Sequence, residues 1–138
     1  MSEENTKAVL KRSGLKTTPA RISVLKIFSE KCQPLSAEDI SKKLKKKDID
    51  LVTIYRTLSS FEEERILRRV DLHKESQYYE LGEHHHHHIV CSRCGFIEEL
   101  EGCDIEKLVT KLTSGSKDFK IIKDHSLEFF GICKKCSY

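Results

Sequence analysis

The chain has 138 residues, with 25 Lys+Arg against 22 Asp+Glu, six Cys, seven His and no Trp; a chain of this length buries about two-thirds of its unfolded surface, which allows one or two small domains and excludes a large barrel or multi-domain enzyme. Charge is uneven: residues 1–74 carry 17 basic and 11 acidic side chains, residues 75–138 carry 8 and 11. No run approaches the ~18 apolar residues of a membrane span and the N-terminus is acidic and polar, so no membrane partner is expected and the compartment is expected to be the cytoplasm.

In chain order, Thr18-Pro19 reads as an N-cap and first helical residue, after which Ile22, Leu25 and Phe28 give a helix one apolar face. Ser36 with Asp39 approaches a capping box and opens a second helix with Ile40 and Leu44 inward. Asp50 can cap a third, in which Ile54, Leu58 and Phe61 fall at i, i+4 and i+7. Val52, Tyr55, Arg56 and Ser59 then face solvent, and the helix offers a Tyr-Arg pair to a partner. Residues 66–72 and 77–81 are β-compatible runs around a polar turn at His73, Lys74, Glu75 and Ser76, which predicts a hairpin. Three short helices and a hairpin outline a winged helix-turn-helix, although a generic helical domain shares that outline. The basic excess, with Lys45-Lys46-Lys47, fits polyanion binding and equally a solvated helix surface.

Near Gly82 the composition changes. A His/Cys-rich stretch leads to a strand at 96–100, a helix with Ile105, Leu108, Val109 and Leu112 on one stripe, and strands at 119–122 and 127–132. The expected fold is α+β, with a winged-helix domain over residues 1–81 and a small α+β domain over 82–138.

Cys91-x-x-Cys94 and Cys133-x-x-Cys136 carry the strongest chemistry. Two residues between cysteines let a tight turn present two thiolates to one ion, and two such pairs complete a closed all-sulfur tetrahedron, the way structural zinc is held. A redox function for the pairs would want a βαβ setting that is absent. Between residues 84 and 88 every position is His. An expression tag would sit at a terminus, whereas this run is internal and continues into Ile89, Val90 and Cys91. In a strand, His84, His86 and His88 face one side and His85 and His87 the other, two half-sites that Glu80, Glu99, Glu106 and His125 could complete as N/O shells. Such shells suit iron, zinc, manganese or cobalt; a solvated polyhistidine is the alternative. Cys32 and Cys103 stand outside both pairs.

Gly14-Leu15-Lys16, Thr18-Pro19-Ala20-Arg21, Ser36-Ala37-Glu38-Asp39-Ile40, Thr53-Ile54-Tyr55-Arg56-Thr57-Leu58, the His run joined to Cys91-x-x-Cys94-Gly95, and His125-Ser126-Leu127 before Gly131-x-Cys133-x-x-Cys136 resemble, over nearly the whole chain, the ferric uptake regulator family of bacterial metal-dependent repressors. The resemblance implies a winged-helix DNA-binding domain, a hinge and an α+β dimerisation domain. It places Tyr55 and Arg56 on the recognition helix and matches Lys16 to a minor-groove lysine, with Arg21 and Thr53 in the same DNA-facing set. It implies structural Zn2+ on Cys91, Cys94, Cys133 and Cys136, a regulatory hinge site at Glu80, His86, His88 and Glu99, and a dimerisation-domain site at His85, His87, Glu106 and His125. Where many members have a hinge histidine this chain has Pro34, beside Cys32 and Gln33. His87 replaces an aspartate common in iron-responsive members, while Glu80 stands where the zinc-responsive branch often has cysteine. The regulatory metal is left between Zn2+ and Fe2+.

The expected function is therefore a repressor that binds double-stranded operator DNA as a metal-loaded homodimer. A zinc-storage or metallochaperone protein would explain the His and Cys but leave the Tyr55-Arg56 helix idle. A metallohydrolase would need an open metal position and a general base, and no nucleophile motif is present, so no enzymatic activity is expected.

Overall fold

The computed structural model describes residues 1–30, 33–83 and 86–137. The chain divides into two compact units, Met1–His84 and His85–Tyr138.

In the first unit α1 (Glu3–Arg12) is capped by Ser2, whose hydroxyl accepts the Asn5 N–H, and it buries Thr6 and Leu10. Sequence periodicity shows no sign of this helix, because one of its two fully buried positions is a threonine. It ends in a Schellman motif: Gly14 has φ +73°, its N–H bonds the Lys11 carbonyl, and the Leu15 N–H bonds the Leu10 carbonyl. That left-handed turn delivers Lys16 to the surface at the start of α2 (Pro19–Glu30). The Thr18 hydroxyl caps α2 by accepting the Arg21 N–H at 3.3 Å.

Strand β1 (Leu35–Ser36) leads into α3 (Ala37–Lys43), and the Ser36–Asp39 capping box is present in both directions. The three lysines Lys45–Lys47 form a 3-10 turn, with Lys47 Nζ on the Ser23 hydroxyl at 3.1 Å. Helix α4 (Leu51–Glu63) is capped by Asp50, whose carboxylate accepts the Thr53 N–H at 2.7 Å. Ile54, Leu58 and Phe61 are completely buried, within a core that also takes Leu10, Leu25, Phe28, Ile40 and Leu67.

Strands β2 (Leu67–Val70) and β3 (Tyr78–Leu81) form the expected hairpin, with Leu67 opposite Leu81 and Val70 opposite Tyr78. Its third strand is β1, so the order is β1-β3-β2, all antiparallel. Helices α2, α3 and α4, packed on this sheet, make a winged helix-turn-helix.

The second unit is a three-stranded mixed sheet in the order β5-β4-β6. Strand β4 (His87–Cys91) is central. It is antiparallel to β5 (Ile97–Leu100) and parallel to β6 (Glu128–Gly131). Helix α5 (Glu106–Gly115) connects the two edge strands and buries none of its residues within the chain; Leu108 and Leu112, on the predicted stripe, are 49% and 55% exposed. Residues 119–122, expected to be a strand, form no ladder, and Phe119 and Ile121 are each 70% exposed. Their alternation is β-compatible, but an extended segment without a partner strand has nothing to stabilise it. Among the described residues no helix is long and apolar enough to cross a membrane.

Candidate metal centres and nucleic-acid face

The exposed face of α4 is the one the periodicity predicts. Val52 and Tyr55 are 57% and 44% exposed, and Arg56 and Ser59 are exposed beside them. Thr53, half-buried, has its carbonyl bonded by the Thr57 hydroxyl. The Tyr55 hydroxyl donates to Glu38 Oε1 at 2.6 Å, tethering this α4 tyrosine to α3. That bond holds the Glu38 carboxyl below its ordinary range and pushes the Tyr55 phenol up. Glu38 was not foreseen as a partner, because the contact spans two helices whose packing is not written in either. Lys16 is exposed in the segment between α1 and α2, and Arg21 Nη1 donates to the Lys16 carbonyl at 3.1 Å.

The four cysteines of the two pairs come together, with their sulfurs within 4.8 Å of one another. Cys91 ends β4, and Gly95 at φ +76° lets the chain turn so that its N–H bonds the Cys91 carbonyl. Cys133 and Cys136 lie just past β6, parallel to β4, so both pairs arrive at the same end of the sheet. Arg93 Nη1 joins the turns by donating to the Cys136 carbonyl at 2.7 Å. Cys94 and Cys133 sulfurs are 3.7 Å apart. A tetrahedral ion with ~2.3 Å metal–sulfur bonds has edges of roughly 3.8 Å, so these two thiols already stand at the spacing of a zinc shell. Backbone N–H groups of Cys133 and then Cys94 aim at the Cys91 sulfur and pull its thiol down to about 6. Cys136, bonded to the Cys133 thiol and desolvated, is pushed up to about 12. Thiols this close cannot all ionise without a cation among them, which is the charge a divalent metal supplies. The residues therefore fit structural zinc.

The histidines divide across β4. His86 Nδ1 lies 2.9 Å from Glu99 Oε1, and His88 is the cross-strand partner of Glu99. The His86 and His88 rings meet edge-on at 6.2 Å, with His88 buried. Thus His86, His88 and Glu99 share a face. Glu80, in the first unit, is buried on β3 and paired with Arg68, whose Nε donates to Oε1 at 2.7 Å.

On the opposite face His87, Cys103 and His125 gather their donor atoms within 4.8 Å. Glu106 is exposed at the start of α5 and is not in that group. Cys103, which no sequence motif singled out, is a member of the group. His84, His85 and Cys32 lie outside the described residues.

A winged helix-turn-helix unit with an exposed Tyr-Arg helix face, joined in one chain to a unit with a four-cysteine cluster and a His/Cys cluster, has the organisation of a metal-responsive transcriptional regulator. The model of the ferric uptake regulator family matches residues 12–130, and the chain belongs to that family. A ferric uptake regulation protein of Neisseria meningitidis is 38% identical over 99% of this chain and 96% of its own length. The ferric uptake regulator of Vibrio cholerae superposes with TM-score 0.76 at 34% identity, covering 92% of this chain and 98% of that one. That of Helicobacter pylori, described as having three functional metal binding sites, superposes with TM-score 0.79 at 26% identity over 99% of this chain and 94% of that one.

Proposed function

We propose that this protein is a metal-loaded homodimeric repressor of the cytoplasm that binds operator DNA through α4 and senses iron or zinc. The observation that carries the proposal is the exposed Tyr55-Arg56 face, set opposite a fully buried Ile54-Leu58-Phe61 stripe in a helix capped by Asp50. A storage protein or metallochaperone has no use for such a face. Arg56 is suited to guanine or phosphate, and Lys16, Arg21 and Thr53 complete the DNA set. The working division is a DNA-binding domain at 1–81 and a dimerisation domain at 82–138. The α5 stripe with exposed Leu108 and Leu112 supports dimerisation, since a second copy would cover it.

Structural zinc would sit on Cys91, Cys94, Cys133 and Cys136. His86, His88 and Glu99 supply the regulatory ligands, with Glu80 added by the family resemblance, and His87 and His125 belong to a further site. The dimer arrangement that fits two recognition helices into successive major grooves binds metal more tightly than its alternatives. DNA affinity and metal affinity then rise by the same factor. A two-fold dimer requires a pseudo-palindromic operator with half-sites about one helical turn, or a multiple of it, apart.

The test is selection of duplexes from a random-sequence pool by the full chain loaded in turn with iron, zinc and manganese. Enrichment of a palindrome with one of the first two metals is expected. Metal-independent or sequence-independent retention would overturn the proposal.

A further inference from the structure

The His87 face of β4 holds a donor set that differs from the one the family resemblance implies. His87 is paired with Leu100, the last residue of β5, so the chain leaves the sheet beside it. Three residues later Cys103 returns to the ring, with Sγ 2.9 Å from His87 Nε2. On the other flank β6 is parallel to β4 with His88 level with Glu128, which brings the Leu127 carbonyl to 2.9 Å from His87 Nδ1. His125 sets its ring 5.4 Å from that of His87 and its Nε2 3.8 Å from the Cys103 sulfur.

The tautomer of His87 follows from these partners. A carbonyl oxygen can only accept, so Nδ1 carries the proton and donates it to Leu127. The other ring nitrogen, Nε2, then faces the Cys103 sulfur at 2.9 Å. One ring nitrogen anchored on a backbone carbonyl, with the other turned toward a second donor, is how proteins orient a metal-ligating histidine. His87 is only 7% exposed, so the imidazole is committed to this arrangement rather than to water. Exchanging the thiol proton for a divalent cation keeps all these groups bonded, with the proton released to solvent.

We propose that Cys103 is a metal ligand, forming with His87 and His125 an imidazole-thiolate site for a thiophilic divalent ion, zinc or cobalt in class, separate from the four-cysteine site. The proposal rests on the reading above that the second unit holds more than one metal. Bond lengths of ~2.3 Å to sulfur and ~2.05 Å to nitrogen set a nitrogen–sulfur edge of roughly 3.6 Å in a tetrahedral shell. The observed 2.9 and 3.8 Å bracket that edge, so small side-chain movements accommodate the ion. A thiolate with two imidazoles favours zinc and cobalt over oxygen-seeking manganese.

The probe is Co2+, titrated into the full chain with zinc retained in the four-cysteine site. Thiolate-to-cobalt charge-transfer absorption should grow with added cobalt, vanish on stoichiometric Zn2+ and survive excess Mn2+. Cys103→Ser should lose that absorption while keeping its four-cysteine zinc. Cys103 lies half-exposed in a loop, so the variant is expected to fold, and its zinc content checks this. Cobalt uptake by the parent without charge transfer, or an unchanged band in Cys103→Ser, would overturn the proposal. Metal-dependent DNA binding, measured on the same samples, separates the two readings. Its absence with the band intact defeats the regulator and leaves the site; its presence without the band does the reverse.

Discussion

Leu58→Ala and Arg56→Ala, two residues apart on α4, should produce opposite phenotypes. Leu58 is completely buried in the core of the first unit. Truncating it removes three side-chain carbons and leaves a cavity whose walls, Ile54 and Phe61 on the same helix among them, relax only in part. Leu→Ala changes at such sites cost about 2–5 kcal/mol. A unit of this size has a net stability on the order of 5–10 kcal/mol and loses about 4–8 °C of melting temperature per kcal/mol. The first unit should therefore melt at least roughly 8 °C lower.

Arg56 is exposed, so its truncation should move stability by no more than about 0.5 kcal/mol. Its cost should fall on DNA instead. A base-edge contact is worth about 1–3 kcal/mol and relaxes one operator position, whereas a phosphate contact lowers affinity evenly and reduces the salt slope by about one. Thermal melts followed by circular dichroism, alongside operator titrations at several salt concentrations, read both quantities. An Arg56→Ala protein that melts early, or one that is folded, zinc-replete and binds the selected operator like the parent, would refute this division of the helix. An unshifted melt in Leu58→Ala would refute the core assignment.

Cys91→Ser or Cys136→Ser should lose one tightly held zinc, seen by elemental analysis, and weaken the dimer in sedimentation, because metal binding and folding of that unit are coupled. Glu38→Gln should weaken the anchor on Tyr55 and bring its raised phenol pKa back toward the ordinary value in an ultraviolet titration. Because the Glu38 carboxyl is depressed, the charged bond is complete above the ordinary carboxylate range and is lost only as pH falls through the lowered value, so operator affinity should not change through this pair near neutrality. His86→Ala should raise the metal concentration needed for operator binding while leaving dimerisation intact, whereas His87→Ala should act more on the stability of the second unit. Identical metal titrations for both variants and the parent would return the run to solvated polyhistidine.

What the sequence disclosed divides along local and non-local lines. Caps and helical spacing are local, so α2, α3 and α4 with Thr18, Ser36, Asp39 and Asp50 were legible, as were the two Cys-x-x-Cys turns. Helix α1 escaped because Thr6 supplies half of its buried pair and a threonine does not register as an apolar repeat. Strand β1, two residues long, exists only through its pairing with β3, and a segment that short has no periodicity to read. Residues 119–122 show the converse, an alternating pattern with no ladder to join. Cys103 was hidden for the same reason as Glu38. Its position beside His87 depends on the β4–β5 register and on how far the chain runs past Leu100 before turning.

That register has a further consequence for the metal chemistry. Strand β4 and the residue before it send His86 and His88 to one face and His87 to the other, and end at Cys91. Its neighbours complete each set: β5 brings Glu99 and leads to Cys103, while β6 is preceded by His125 and followed by Cys133. Three groups of donors are thus indexed to a single strand with a two-residue period. A one-residue slip would exchange the two histidine faces and carry Cys91 away from Cys133. A metal that closes the four-cysteine shell fixes the end of β4 against the end of β6, and thereby holds His87 level with Leu127. On the proposed assignment, zinc at the four cysteines sets the register on which the two proposed histidine sites depend, so its removal should loosen them even where their own ligands are intact.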